Sequence, residues 1–278
     1  MRQVNHKRIT IIDARNARTQ YWRDLWAYRD LLYFLSWRDI LVRYKQTVIG
    51  VTWALVRPLL TMLIFTFIFG RIANLPSNGV PYPLLVFAAM LPWYFFAGAF
   101  SEASNSLLAN SNMISKVYFP RLFVPASTIA VSLVDLAISF VVMLVLLAWY
   151  GVWPSMRMLA LPLWIVLASA LALGLGLWCA ALNVKYRDFR YIVPFVTQIG
   201  LYVSPVGFSS TIVPDQWRLV YSLNPMVAVI DGFRWSLLGS SMEIYWPGFV
   251  LSLVLVITLL SSGVWYFRRT ENTFADEI

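Results

Sequence analysis

The sequence predicts an all-α integral membrane protein with six transmembrane helices, an amphipathic helix before the first and short helices between the last two. Hydrophobic residues make up 60% of the 278 and charged residues only 13%, whereas soluble domains carry roughly 25% charged residues. Six apolar windows are long enough to cross a hydrocarbon core. They cover residues 51–71, 83–101, 122–149, 158–182, 191–207 and 247–267.

The distribution of Lys and Arg predicts the orientation of these spans. With both termini in the cytoplasm, ten basic residues precede the first span on the inner side, and four lie on the outer side of the membrane. The inner loops and tail add Lys116, Arg121, Lys185, Arg187, Arg190, Arg268 and Arg269. This inner excess follows the positive-inside rule, and it explains the net charge of +9 without a nucleic-acid partner.

An amphipathic helix is predicted immediately before the first span. Its apolar face has helical spacing and contains Tyr33, Trp37, Ile40, Leu41, Tyr44 and Val48. Asp39 lies off that face and is spaced to pair with Arg43. Trp and Tyr on the apolar side favour a helix in the membrane interface. A soluble helix packed on another subunit is the alternative.

Several features inside the spans have a structural and a functional interpretation. Asp135 is an acid deep in a span, acting either as a functional group or as a hydrogen-bond partner of a neighbouring helix. Arg57 and Pro58 interrupt the first span, where the proline predicts a kink and the arginine could snorkel to the cytoplasmic headgroups. Small residues at every fourth position allow close packing within the subunit or, less favoured, in a dimer; they are Ala168, Ala172, Gly176 and Ala180.

Aromatic residues, 16% of the chain, cluster in the second span and near the fifth. The cluster consists of Trp93, Tyr94, Phe95, Phe96 and Tyr202. It forms either an interfacial belt or a surface on which sugars stack. The inner loops 111–125 and 183–190 are either docking surfaces for a cytosolic partner or positive-inside anchors.

Nothing in the sequence predicts catalysis. One cysteine, Cys179, and one histidine, His6, exclude a cysteine-based metal cluster. P-loop, dinucleotide-binding and zinc-protease motifs are absent from the sequence. We therefore expect a non-enzyme without its own cofactor or metal, and any ATPase that drives it is another chain.

Five motifs in order carry a resemblance to a known family. They are RDILVRYKQTVIGVTWALVRPLL, NMISKVYFPR, LNVKYRDFRYIVPF, SPVGF and LNPMVAVIDGFRW, between about Arg38 and Leu238. Together they closely resemble the permease subunit of bacterial polysaccharide ABC exporters, of the ABC-2 type. That family exports O-antigen, capsule or teichoic acid chains.

The resemblance implies an assembly in the bacterial cytoplasmic (inner) membrane. Two copies of the permease form a homodimer with two copies of a cytosolic ATPase, which binds ATP and Mg. The substrate is a glycan on a polyprenyl diphosphate lipid. Residues 1–50 are then the cytoplasmic segment with the interface helix, 51–267 the six-helix domain and 268–278 the cytoplasmic tail.

The resemblance also implies roles for particular residues. The interface helix includes Trp37, Arg38, Asp39, Arg43, Tyr44 and Lys45. The segment that couples to the ATPase contains Asn112, Met113, Ile114, Ser115, Lys116, Val117, Tyr118, Phe119, Pro120 and Arg121. The gate region includes Pro205, Phe208, Asn224, Pro225 and Arg234. The candidate substrate path comprises Arg57, Trp93, Tyr94, Phe95, Phe96 and Tyr202.

Arg57 departs from the family pattern, in which an uncharged or amide residue more often precedes the proline. In a glycan exporter this guanidinium could bind the diphosphate in a two-pronged way as an alternative to snorkelling.

Two other functions stay open on the sequence. The first is an ABC-2 type permease for another lipid or a drug. The second is a membrane glycan transferase or polymerase, which would need acidic or His groups in the outer loops. Only Asp215, Asp231 and Glu243 are available there.

Overall fold

The computed structural model describes residues 23–45, 48–117, 119–153, 155–186, 188–239 and 242–274. Within these ranges the regular secondary structure is entirely helical, as the all-α prediction requires. After helical residues 23–27, the α-helices in chain order are α1 Arg29–Tyr44, α2 Val48–Phe65, α3 Tyr82–Ala109, α4 Ser111–Ile114, α5 Phe123–Trp149, α6 Leu161–Lys185, α7 Phe189–Val203, α8 Asp215–Tyr221, α9 Pro225–Leu238 and α10 Trp246–Thr270.

Short segments of other helix types extend these elements. A π-helical segment, Thr66–Ile72, continues α2, and 3-10 segments occur at Met156–Ala160, Ser210–Ile212 and Glu271–Thr273. The α2 helix continues through Pro58. The kink at that residue stays a prediction.

In the described part of the chain, five helical stretches are long and apolar enough to cross a membrane. They are Leu55–Ile72, Tyr82–Ala109, Phe123–Trp149, Met156–Lys185 and Trp246–Thr270. The remaining predicted span, 191–207, forms α7, which has only 15 residues and is about 22 Å long at 1.5 Å per residue. It ends because Ser204 is extended and a residue before proline avoids the helical conformation. The chain is a multi-pass membrane protein.

Helix α3 is the central element of the bundle. Apolar residues surround it on all sides, and such a helix is expected to be buried; from Leu84 to Phe96 every residue except Tyr94 is almost entirely inaccessible. The buried Ser104 and Ser106 donate hydrogen bonds to backbone carbonyls one turn earlier, at 2.6 and 2.7 Å. The polar groups of its buried serines are therefore satisfied within the helix.

Polar contacts identify which helix ends lie together. Arg38 on α1 contacts Asn110, which follows α3, and Arg121, which precedes α5, contacts Glu271, which follows α10. We call this the α1 end of the bundle. At the opposite end, Tyr82 donates a hydrogen bond to the Gly207 carbonyl at 2.7 Å.

Close helix contacts depend on small residues of α6. Its face of Ala168, Ala172, Gly176 and Ala180 is buried, and a β-carbon on Gly176 would lie 2.6 Å from Ala103 Cβ on α3. This face therefore packs within the subunit, as favoured from the sequence. A second crossing joins Gly174 to α10, where a β-carbon on Gly263 would meet the Gly174 carbonyl oxygen.

Helix α1 lies against α5 and turns its large apolar residues outward. Leu35 is buried toward the bundle, whereas Tyr33, Trp37 and Leu41 are exposed. Exposed apolar side chains of this size are unfavourable in water.

Candidate functional site

An open cavity of about 790 Å³ lies among α1, α2, α3, α5 and α7. Its charged lining consists of Arg43, Arg57, Glu102 and Asp135, two cations and two carboxylates. Ser139, Thr197 and Gln198 add neutral polar groups, while Phe87, Met90 and Leu91 form an apolar part nearer the opposite end. The cavity can therefore hold a ligand that is both charged and apolar.

Asp135 is bound by two consecutive residues of α1. Its Oδ2 lies 2.9 Å from Arg43 Nη2, and the Tyr44 hydroxyl donates a hydrogen bond to Oδ1. Burial and the neighbouring carboxylate raise the pKa of Tyr44, so the hydroxyl keeps its proton and stays a donor. The acid singled out in the sequence is thus one attachment point of α1 on α5, and Ser127, which donates to Asp39 at 3.4 Å, is a second.

Arg43 also contacts Glu102, with 3.3 Å between Nη1 and Oε1. Asp39, the residue predicted to pair with Arg43, accepts hydrogen bonds from Arg38 at 2.7 and 2.9 Å. The Arg43 side chain therefore reaches carboxylates of α3 and α5, which lie beside the cavity.

Arg57 is exposed to the cavity and lies over an aromatic ring. Its guanidinium carbon is 5.2 Å from the centroid of Tyr94, a favourable cation–π distance. The Tyr94 hydroxyl donates to Thr61 Oγ1 at 3.0 Å, and Thr61 donates to the Arg57 carbonyl at 2.9 Å. No ion pair forms between Arg57 and a carboxylate of the described residues.

The aromatic residues proposed for the path divide into two groups. Trp93, Tyr94 and Phe95 line the cavity, although Trp93 is only 4% exposed because its indole fills the space beside Gly200. Phe96 is buried and stacks on Phe100 with centroids 5.8 Å apart. Tyr202 is 62% exposed and lies outside the cavity lining, 6.2 Å from the Phe65 ring.

The segment proposed to couple to an ATPase has an exposed and a buried side. Asn112, Ser115, Lys116 and Val117 are exposed, and Met113 is partly exposed. Ile114, Phe119 and Pro120 are buried against the bundle, and Tyr118 lies outside the described residues. The exposed side is a short surface at the α1 end.

The C-terminal segment holds this coupling segment in place. The backbone N–H of Arg121 donates to Glu271 Oε1 at 3.0 Å, and its guanidinium donates to the Glu271 carbonyl. Phe274 is 1% exposed, packs on Phe267 with ring centroids 5.2 Å apart and belongs to the same apolar cluster as Ile114 and Phe119. Arg121 therefore binds its own chain, a contact that no motif in the sequence predicts.

Helix α1 contacts the chain just before the coupling segment as well. Arg38 donates to Asn110 Oδ1 at 2.8 Å, and Asn110 immediately precedes α4. The other proposed interface residues, Trp37 and Lys45, are exposed. Helix α1 thus has polar contacts both to the chain before the coupling segment, through Arg38, and to the cavity lining, through Arg43.

The region proposed as the gate is held together by Arg234. This side chain is 1% exposed and donates to three backbone carbonyls, those of Leu85, Phe208 and Val206, at 3.0, 2.9 and 3.2 Å. A buried cation requires such partners. The gate region is therefore joined to α3 by a side chain.

The turn between α7 and α9 has its own contacts. Asn224 caps α9, accepting from the Met226 N–H at 3.1 Å, and donates to Ser204 Oγ at 2.9 Å. Pro225 occupies the first turn of α9, where its missing N–H is tolerated. Pro205 is buried in the same turn. The proposed gate residues thus form one packed unit at the opposite end.

Comparisons with known proteins give a consistent result. The family model described as "ABC-2 type transporter" matches residues 30–238. The chain is 28% identical over 261 residues to the O-antigen export system permease protein RfbA of Myxococcus xanthus, covering 92% of this chain and 98% of the relative. It is 26% identical to the RfbA of Klebsiella pneumoniae, over 89% and 94% of the two chains. It is 27% identical to the capsule polysaccharide export inner-membrane protein CtrC of Neisseria meningitidis serogroup A, also over 89% and 94%.

Proposed function

This chain belongs to the ABC-2 type transporter family, and from that premise we propose that it is the membrane permease of an ATP-driven polysaccharide exporter. The observation that carries the proposal is the match, over nearly the full length of both chains, to permease proteins of O-antigen export. A capsule export protein matches over a similar share. Glycans are therefore the cargo class that the relatives favour over another lipid or a drug.

ATP hydrolysis is assigned to a separate chain. The sequence has no P-loop, so the energy would come from two copies of a cytosolic ATPase that bind ATP and Mg. The exposed side of the coupling segment, with Lys116 at its centre, is the proposed contact. A homodimer of the permease completes the assembly and forms the path between its two copies.

The proposed topology has six spans in the bacterial inner membrane, with both termini in the cytoplasm. The short α7 serves as the fifth span, and its end in the Ser204–Pro205 turn leaves α8 and α9 on the outer side. The α1 end is then cytoplasmic, consistent with the excess of Lys and Arg in the inner segments. Helix α1 lies in the inner interface.

The proposed mechanism couples the two ends of the bundle. ATP binding closes the ATPase subunits and pushes on the coupling segment. This segment follows Asn110, the partner of Arg38 on α1, and its Arg121 contacts Glu271 just after α10. Movement of α1 is transmitted to the cavity through Arg43 and Asp135. The polyprenyl diphosphate enters from the inner leaflet, and its glycan advances along aromatic residues such as Tyr94.

Gene deletion in the source bacterium tests this function. We expect the surface polysaccharide to disappear and lipid-linked glycan to accumulate inside the cell, with both reversed by the wild-type gene. Unchanged surface polysaccharide would contradict the proposal. Loss of the glycan from every compartment, together with glycosyl transfer by the purified chain, would favour a transferase or polymerase.

A further inference from the structure

We propose that Asp135 and Glu102 are counter-ions built into the cavity, which a phosphate or diphosphate group displaces when it binds between Arg43 and Arg57. This inference concerns how the cavity selects its ligand, and it rests on the proposed function only for the identity of the natural ligand. The ligand chemistry itself follows from the charged lining.

The four charged residues of the lining come from four different helices. Arg43 is on α1, Arg57 on α2, Glu102 on α3 and Asp135 on α5, and all of them line the same cavity. Charged residues on one exposed face of a single helix would be an ordinary solvated surface. Here the four charges converge on one cavity from four helices, beside its apolar lining. They place two guanidinium groups in the lining of one cavity.

The two arginines differ in their carboxylate contacts. Arg43 contacts Asp135 at 2.9 Å and Glu102 at 3.3 Å, whereas Arg57 lies over Tyr94 without a carboxylate pair among the described residues. A guanidinium binds carboxylate and phosphate through the same two-pronged geometry. A phosphate oxygen can therefore take the place of a carboxylate oxygen at Arg43 while Arg57 binds another oxygen of the same group.

The formal charges explain why counter-ions are present. Two arginines without carboxylates would leave two uncompensated positive charges beside the apolar part of the cavity lining, which is costly. With Glu102 and Asp135 the lining is formally neutral when no ligand is bound. A phosphate group that enters takes over the contacts to Arg43, while the two displaced carboxylates remain in the lining, so their negative charge opposes its binding.

Asp135 keeps a partner after this exchange. The Tyr44 hydroxyl donates to its other oxygen, Oδ1, and does not depend on Arg43. The released carboxylate therefore stays hydrogen-bonded, which lowers the cost of losing the arginine. Breaking the contacts of Arg43 to Asp135 and Glu102 still costs free energy. The cavity therefore excludes anions that bind the arginines too weakly to displace both carboxylates.

Binding of radiolabelled inorganic pyrophosphate to the full chain in phosphatidylcholine nanodiscs tests the inference by equilibrium dialysis. Because Asp135→Asn removes the competing charge, we expect it to bind pyrophosphate about tenfold more tightly than wild type. Glu102→Gln should act in the same direction, and it leaves the α1–α5 contact intact in case Asp135→Asn does not fold. Arg43→Gln and Arg57→Gln should each weaken binding about tenfold or more.

Arg71→Gln is the matched control, since Arg71 is an exposed arginine on the π-helical extension of α2, and its binding should equal that of wild type. Weaker or unchanged binding by folded Asp135→Asn and Glu102→Gln would overturn the inference. The assay needs neither ATPase nor glycan, so its failure leaves the proposed export function standing.

A second arm identifies the source of the phosphate. Nanodiscs that contain phosphatidic acid are compared with pure phosphatidylcholine nanodiscs in the same dialysis. If phosphatidic acid lowers pyrophosphate binding to wild type but not to Arg43→Gln, the natural phosphate is presented by a lipid headgroup. Pyrophosphate binding without such competition supports a phosphate taken from solution.

Discussion

Arg43, on a helix lying against the outside of the bundle, forms an ion pair with Asp135, deep in α5, with 2.9 Å between Nη2 and Oδ2. The pair joins residues 92 positions apart in the sequence. Because Tyr44 contacts the same carboxylate, α1 cannot move away from α5 without breaking both contacts. A movement of α1 away from α5 would therefore also remove the positive charge of Arg43 from Asp135 in the cavity lining.

Substitutions of Arg57 distinguish phosphate binding from snorkelling. We expect Arg57→Lys to lower glycan export several-fold, because a single ammonium cannot reproduce the two-pronged guanidinium contact. Arg57→Gln and Arg57→Leu should lower it further. The measurement is surface polysaccharide in the deletion strain at matched permease levels. Wild-type export by Arg57→Lys would indicate snorkelling, and full export by all three variants would exclude both roles.

The contact between Arg121 and Glu271 predicts that Arg121 stabilises the coupling segment from within. Arg121→Glu places a second carboxylate beside Glu271 and should lower both export and the apparent melting temperature in detergent. Lys116→Glu is the control, since Lys116 is exposed in the same segment and its substitution should leave the melting temperature unchanged. Equal melting temperatures for wild type and Arg121→Glu would contradict this role.

The crossing of α6 and α10 predicts a strict requirement for glycine at residue 263. A side chain there would meet the Gly174 carbonyl oxygen, so Gly263→Val should destabilise the chain by about 2 kcal/mol or more. Denaturant unfolding in detergent measures this. Gly98→Ala is a matched helical control, because its β-carbon would lie an ordinary 3.5 Å from Ser132 Oγ. Equal stability of the two variants would show that the helices separate easily.

The three hydrogen bonds of Arg234 predict that this residue is structural. Arg234→Met keeps much of the volume but leaves three carbonyls without their donor, and it should cost about 3 kcal/mol. We expect a large fall in the apparent melting temperature. Arg218→Met, at a partly exposed arginine paired with Asp215 at 3.3 Å, should cause only a small change. A melting temperature of Arg234→Met within error of wild type would contradict the role.

Hydropathy predicted most of the membrane-spanning helices within a few residues, because their apolar windows are long and uninterrupted. It placed the end of the window at 191–207 too late, because hydropathy does not show that the helix ends at Val203, before the extended Ser204 and Pro205. Helical spacing predicted one apolar face on α1, and its residues divide: Tyr33 and Trp37 are exposed, whereas Tyr44 contacts Asp135 in the cavity lining.

Side-chain pairing was the part that the sequence could not supply. Asp135 was noted as an unusual acid, yet nothing local connects it to Arg43 or Tyr44, because only the packing of α1 on α5 brings them together. Glu271 and Phe274 lie in the tail, outside the motifs that carried the resemblance. Trp93 and Phe96 show a further limit, since their aromatic character is equally suited to a cavity lining and to a packed core.

The most direct test of the export function is transport in a reconstituted system. The full chain and the ATPase that co-purifies with it are placed in proteoliposomes that contain lipid-linked glycan, and glycan on the far side of the bilayer is measured with and without ATP. We expect glycan translocation that requires ATP and that falls in Arg57→Gln. Active ATP hydrolysis without any glycan movement in the wild-type assembly would contradict it.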